Sequence, residues 1–200
     1  MLLELSVKNF RNFKNWFKFD LSTDRDYQFN TESISEKEKI VRHSIVYGHN
    51  GGGKSNLGLA ILDLTCHLND SSIMPSLKSN YLNAHSDLDI AEFIYKFKFD
   101  GVIIEYRYGK SDHITTVYEE LFIDQVKCIS IDRRRSDTAS FNMLGTENLK
   151  TDLSNSQISV VKYLSSNAVL EDNLTNTIFT KFISFVNSMV FFRTLTKGAD

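Results

Sequence analysis

Eight consecutive residues, Gly48-His49-Asn50-Gly51-Gly52-Gly53-Lys54-Ser55, constrain this chain more than any other stretch of it. They follow Ile40 to Tyr47, which is rich in β-branched and aromatic side chains, and precede Asn56 to Leu68, which is helix-forming and apolar on most faces. The expected order is a buried strand, a loop and a buried helix. The spacing Gly-x-x-x-x-Gly-Lys-Ser in that setting is the pattern of a phosphate-cradling loop. Glycines let backbone N–H groups turn toward an anion with no Cβ in the way, and the helix adds its N-terminal partial positive charge. Lys54 brings a mobile charge for the outer phosphates, and the Ser55 hydroxyl suits Mg²⁺, a hard cation that keeps several waters. A glycine-rich turn that merely precedes a helix explains the glycines but not Lys and Ser in register. The nucleotide-binding candidates are therefore Gly48, Asn50, Gly51, Gly52, Gly53, Lys54, Ser55 and Asn56. Lys54 is also the catalytic candidate, and Ser55 the metal ligand.

The flanking sequence reads as three parts. In residues 1–70, Leu3, Leu5 and Val7 alternate with polar residues and Trp16 to Leu21 alternates again, which predicts a hairpin around the polar turn from Asn9 to Asn15. Residues 22 to 39 are polar and charged, the composition of a solvated, mobile connection. In residues 71–132, Phe93, Tyr95, Phe97 and Phe99 alternate with Ile94, Lys96 and Lys98 ahead of Asp100-Gly101, a strong two-residue hairpin signal. Val102 to Tyr108 is the return strand, and Ile114 to Ile123 and Val126 to Ile131 complete an antiparallel meander of about four strands. In residues 133–200, a short helix is expected at Ile158 to Leu164. Leu174, Ile178, Phe182, Phe185, Val186 and Met189 mark one face of a longer one.

Composition narrows the function classes. The chain has 200 residues, 42% of them hydrophobic, and 23 basic against 25 acidic side chains. That length buries a real core without disulfides. That charge balance argues against non-specific nucleic-acid binding. Cys66 and Cys128 stand far apart with no zinc-finger spacing, which fits a reducing compartment. No secretory signal opens the sequence, and the apolar stretch around Phe182 to Phe192 is broken by Ser184, Asn187 and Ser188. A soluble, cytoplasmic protein with no membrane partner is expected.

Val7-Lys8-Asn9-Phe10-Arg11-Asn12-Phe13, upstream of Val46-Tyr47-Gly48 through Ser55-Asn56-Leu57, resembles the start of the RecF/SMC-like ABC ATPases. More narrowly, it is similar to AAA-labelled prokaryotic members of that clan from phage-defence and overcoming-lysogenisation systems. The stretch from Phe93 to Tyr108 and Tyr118-Glu119-Glu120-Leu121 resembles their antiparallel lobe. The resemblance implies an α/β P-loop NTPase fold of ABC type with an antiparallel β-subdomain and C-terminal helices. It implies ATP and Mg²⁺ as cofactors, and a contact from Arg11 and Asn12 to the nucleotide. It also implies a homodimer closed around ATP and an effector nuclease or toxin driven by it, with DNA as a further candidate partner. A non-hydrolysing nucleotide-sensing scaffold and a DNA-repair ATPase are the alternatives.

Hydrolysis needs more than a loop. The chain has no Asp-Glu dipeptide, its Leu-Ser pairs lack following glycines, and the nearest Walker B imitation, Ile129-Ser130-Ile131-Asp132, runs into Arg133. The expectation is the N-terminal part of a larger ATPase, completed by other sequence or a partner. Other features take plainer readings. Arg133-Arg134-Arg135 reads as a solvated loop, the aromatic alternation as core, and the tail helix as a cover for the sheet. Cys66-His67 reads as a buried cysteine beside a partly exposed histidine, and His49 as a solvent-facing loop residue.

Overall fold

The computed structural model describes residues 1–23, 25, 27–69, 78–154 and 156–190. Among them the strands are β1 (Leu2–Lys8), β2 (Phe17–Asp20), β3 (Ile34–Ser35), β4 (Ile40–Val41), β5 (Ala91–Phe99), β6 (Val102–Lys110), β7 (Thr116–Ile123), β8 (Val126–Asp132) and β9 (Ser136–Phe141). The helices are α1 (Lys54–Leu68), α2 (Val160–Asn167) and α3 (Leu174–Asn187). Seven strands form one sheet in the order β2-β1-β5-β6-β7-β8-β9, and β3 pairs with β4 apart from it. Every ladder is antiparallel.

The two-residue period sets this sheet. Phe93 lies opposite Tyr108, Tyr95 opposite Tyr106 and Phe97 opposite Ile104, so one face of β5 and β6 is a continuous apolar surface. The Asp100-Gly101 turn takes φ 52° and 85°, the left-handed pair that matches strand twist. On that surface α3 lays Ile178, Phe179, Phe182 and Val186, all buried, with the Phe182 and Phe185 rings 5.1 and 5.6 Å from Phe97. The aromatic alternation is core and the tail helix covers the sheet, as their spacing predicts. Phe191 and Phe192 lie outside the described residues.

The expected α/β P-loop fold of ABC type is not what this chain forms. That fold is built on parallel strands joined through helices, whereas here hairpins give a mainly antiparallel seven-stranded sheet. The strand expected from Ile40 to Tyr47 is reduced to Ile40–Val41, and residues 42–50 are exposed, with Ile45 at 89% and Tyr47 at 90%. Composition marked that stretch as strand-forming, but no neighbouring strand pairs with residues 43–47 among the described residues. Three smaller expectations also change. Residues 22 to 39 carry a 3₁₀ turn (Thr31–Ser33) and β3 rather than only a solvated connection. The meander has a fifth strand, β9. The first hairpin is not separate from it, because β1 pairs with β5.

Candidate functional site

The loop from Gly48 to Gly53 leads directly into α1. Gly51 and Gly53 have φ 81° and 91°, and Gly53 is the N-cap. The left-handed φ at Gly53 calls for glycine, and an added Cβ there would stand 2.5 Å from the end of the exposed Asn12 side chain. Lys54 donates from Nζ to the carbonyls of Gly48 and His49, each at 2.8 Å, and so folds over its own loop. Gly48, His49, Asn50, Gly51, Gly52 and Ser55 are exposed, while Gly53, Lys54 and Asn56 are half-buried. The result is an exposed glycine loop at a helix N-terminus, followed at once by a cation, Lys54, and an exposed hydroxyl residue, Ser55.

Arg11 and Asn12 form the tip of a tight turn. Phe10 N–H donates to the Phe13 carbonyl at 3.1 Å and Phe13 N–H returns the bond at 2.8 Å. Phe10 is buried edge-on against Tyr81 and Phe93, both at 5.1 Å, which fixes the turn on the core. From that tip Asn12 Oδ1 accepts from Asn56 Nδ2 at 2.8 Å. The structure therefore brings Asn12, Gly53 and Asn56 together. Arg11 is placed differently: its guanidinium donates to the Ser79 carbonyl at 3.3 Å and its backbone N–H to the Tyr81 carbonyl at 3.0 Å.

Beneath α1 lies a polar cluster that holds the helix, and hence the loop, in place. Asp63, 1% exposed, accepts from Tyr81 Oη at 3.0 Å and Tyr108 Oη at 2.8 Å, with Lys110 Nζ at 3.3 Å. Tyr95 Oη donates to the Ala60 carbonyl at 2.6 Å. Burial pushes all four phenols of the cluster, Tyr81, Tyr95, Tyr106 and Tyr108, well above their ordinary range, so they serve as donors. Further along, fully buried Glu119 accepts from Tyr106 Oη and Ser159 Oγ at 2.5 Å and from the Val160 N–H at 2.8 Å, with His67 Nε2 at 3.5 Å. Burial alone raises its pKa, but His67, Ser159 and Tyr106 together hold it below the ordinary glutamate value. The sequence reading missed Asp63, Lys110 and Glu119. Strand parity was the available signal, since Ile104, Tyr106 and Tyr108 face inward and Lys110 continues the same series.

The remaining candidates do not join the loop. Asp132 sits opposite Tyr118 on β7 and is bound by Arg134 at 2.8 Å, which holds its carboxyl below the usual aspartate range. Glu105 is tied to Arg107 and to Lys96 on the charged face of the sheet, away from α1. Within the arginine triplet, Arg135 is solvated as expected. Arg133 is instead a buried clamp, donating to the Leu153 and Ile158 carbonyls at 3.5 and 3.3 Å. Cys66 and His67 are the reverse of expectation: the cysteine is half-buried and the histidine side chain is 4% exposed. Burial raises the Cys66 thiol, so it is not poised as a nucleophile. Among the described residues no group of three or more His, Cys, Asp or Glu could hold a metal ion, and no helix is long and apolar enough to cross a membrane. Comparison with protein-family models and with curated proteins finds no match for this chain.

Proposed function

We propose that this chain binds ATP with Mg²⁺ through the loop from Gly48 to Ser55, as the ATP-binding part of a RecF/SMC-like ATPase. The observation that carries the reading is the loop itself: left-handed glycines leading into a 15-residue helix, with the Lys54 ammonium drawn back onto the Gly48 and His49 carbonyls of the same loop. Its chemistry does not depend on a parallel sheet, because the donors are backbone N–H groups and a helix end. The open space at Gly48 and Gly51, where an added Cβ would meet nothing, and the exposed Ser55 suit a triphosphate and its cation. Mg²⁺, when bound, neutralises charge on the phosphate oxygens and needs only one or two protein ligands besides them. On binding, Lys54 would exchange two carbonyl acceptors for phosphate oxygens and Ser55 would offer its hydroxyl to the cation, with Asn12 bonded to Asn56 beside the start of α1.

Calorimetric titration of ATP and Mg²⁺ tests this. Lys54→Ala is expected to cost about 1.5–3 kcal/mol of affinity, the scale of a hydrogen bond to a charged group. Unchanged affinity overturns the reading. Phosphate release by this chain alone is expected to be absent, since Asp132 and Glu105 are committed to arginines elsewhere. That same observation favours the second reading, a nucleotide-sensing module that does not hydrolyse. Stimulation of turnover by added partner sequence separates the two. Dimerisation around ATP and coupling to a nuclease or toxin, with DNA as a further partner, follow from the resemblance. An ATP-dependent change in sedimentation tests the first of these.

A further inference from the structure

β2 is the outermost strand of the seven-stranded sheet, and among the described residues no strand pairs with its far side. Its bonding phase is fixed by the Leu21 N–H, which donates to the Leu3 carbonyl at 2.9 Å, because residues of an antiparallel pair alternate between bonded and unbonded. With Leu5 opposite Phe19 and Val7 opposite Phe17, the odd residues of β2 therefore bond to β1. Lys18 and Asp20 are out of phase with them and point their N–H and C=O groups away from the sheet. The chain then leaves the edge. Asp20 Oδ1 accepts from the Ser22 N–H at 2.9 Å and the Ser22 hydroxyl at 2.6 Å, a turn that ends the strand. The segment that follows reaches back to the Asp100-Gly101 turn, where Lys37 meets Asp100 at 2.7 Å and Glu38 accepts from the Gly101 N–H. An open row of backbone groups of this kind is a template for another strand.

The side chains select the strand that fits. Lys18 and Asp20 stand two residues apart on the outer face with opposite charge, 54% and 41% exposed. Hydrogen bonds from Ser22 hold the Asp20 carboxyl down at about 2, so it stays ionised. Lys18 meets Glu4 at 2.7 Å and Asp20 at 3.0 Å, and an ammonium has a third donor to give. A lone lysine guards an edge against pairing, but a lysine two residues from an aspartate is self-complementary under two-fold symmetry. Two copies of β2 aligned antiparallel about Phe19 place Lys18 of each opposite Asp20 of the other, in the bonded phase of the ladder. The partly buried Phe19 side chains then meet on the core side. Alignment about Lys18 would oppose two ammonium groups and is disfavoured. We infer that two copies of this chain associate through the open edges of β2, antiparallel and centred on Phe19, joined by backbone hydrogen bonds at Lys18 and Asp20 and by reciprocal Lys18–Asp20 pairs.

This association needs no nucleotide, which separates it from a dimer closed around ATP. Sedimentation of the full chain without ATP is expected to shift from monomer to dimer between micromolar and millimolar protein, the weak end of specific association, as suits so short a strand. Lys18→Pro is expected to abolish the dimer, since the ring removes an edge donor and blocks the approaching strand. The Lys18 N–H faces away from β1, so circular dichroism and melting of that variant should stay close to wild type. Lys18→Asp sets like charges across both pairs and is expected to weaken association about tenfold. It decides the matter if the proline variant fails to fold. A chain that stays monomeric throughout that range without ATP overturns the inference. A dimer that either folded variant leaves at wild-type strength overturns it as well.

Discussion

The two faces of the seven-stranded sheet are made from alternate residues of the same strands, yet they are organised by different physics. On the inner face Tyr95, Phe97, Ile104, Tyr106 and Leu121 are wholly buried beneath α1 and α3, and the polar atoms among them are bonded in fixed pairs. On the outer face Lys18, Glu4, Lys96, Glu105 and Arg107 form a ladder of ion pairs running across strands, from 2.7 Å for Lys18–Glu4 to 3.7 Å for Lys96–Glu105. The inner face loses water and gains stability from packing. The outer face keeps its water, so its ion pairs contribute little to stability. Alternating charges there also make the sheet a poor surface for unwanted association.

Neighbouring residues of β5 give the sharpest test of that contrast. Phe97→Ala, cutting a ring that packs on Phe182 and Phe185, is expected to cost about 3–5 kcal/mol in urea denaturation. Next comes Glu119→Gln, expected to cost about 1–3 kcal/mol at neutral pH because an amide cannot accept from every donor converging on that carboxylate. Its pH dependence has a definite sign. The folded pKa lies below the ordinary value of 4.5, so the stabilisation is present above that pH and is lost as pH falls through the folded value. Acid denaturation followed by circular dichroism should therefore be shallower in Glu119→Gln. Smallest of the three is Lys96→Ala, one residue from Phe97, expected at about 0–1 kcal/mol and reduced further by salt. Equal losses at Phe97 and Lys96 would break the distinction between the faces.

Much of the inner face could be read from the sequence, because Phe93 to Tyr108 states its period twice around Asp100-Gly101, and Ile178, Phe182 and Val186 state the helical one. The loop was legible for a similar reason: all of its signal is local. What could not be read depends on partners distant in sequence. Leu5 pairs with Tyr95, which merges the first hairpin into the meander, and nothing near either residue announces it. Polar Ser136 to Phe141 forms an edge strand whose exposed side needs no apolar residues. Ile40 to Tyr47 had the composition of a buried strand, but only Ile40 and Val41 found a partner. In the candidate site Gly53 was named from the loop pattern and Asn12 from the family resemblance, whereas their close approach came from the docking of Phe10 on Tyr81 and Phe93. Lys110 continued the legible inward series of Ile104, Tyr106 and Tyr108, whereas Asp63 was illegible until the buried face of α1 was known.

The exposed run from residue 42 to residue 50 is the covalent bridge between the first four strands and the loop, and Arg42 within it offers a protease site. A cut there would divide the chain without dividing the fold, because β1 remains hydrogen-bonded between β2 and β5 and Asn12 remains against Asn56. The fragments before and after Arg42 would then behave as complementary halves of a split protein, with the turn that braces the loop supplied by the first half and the loop itself by the second.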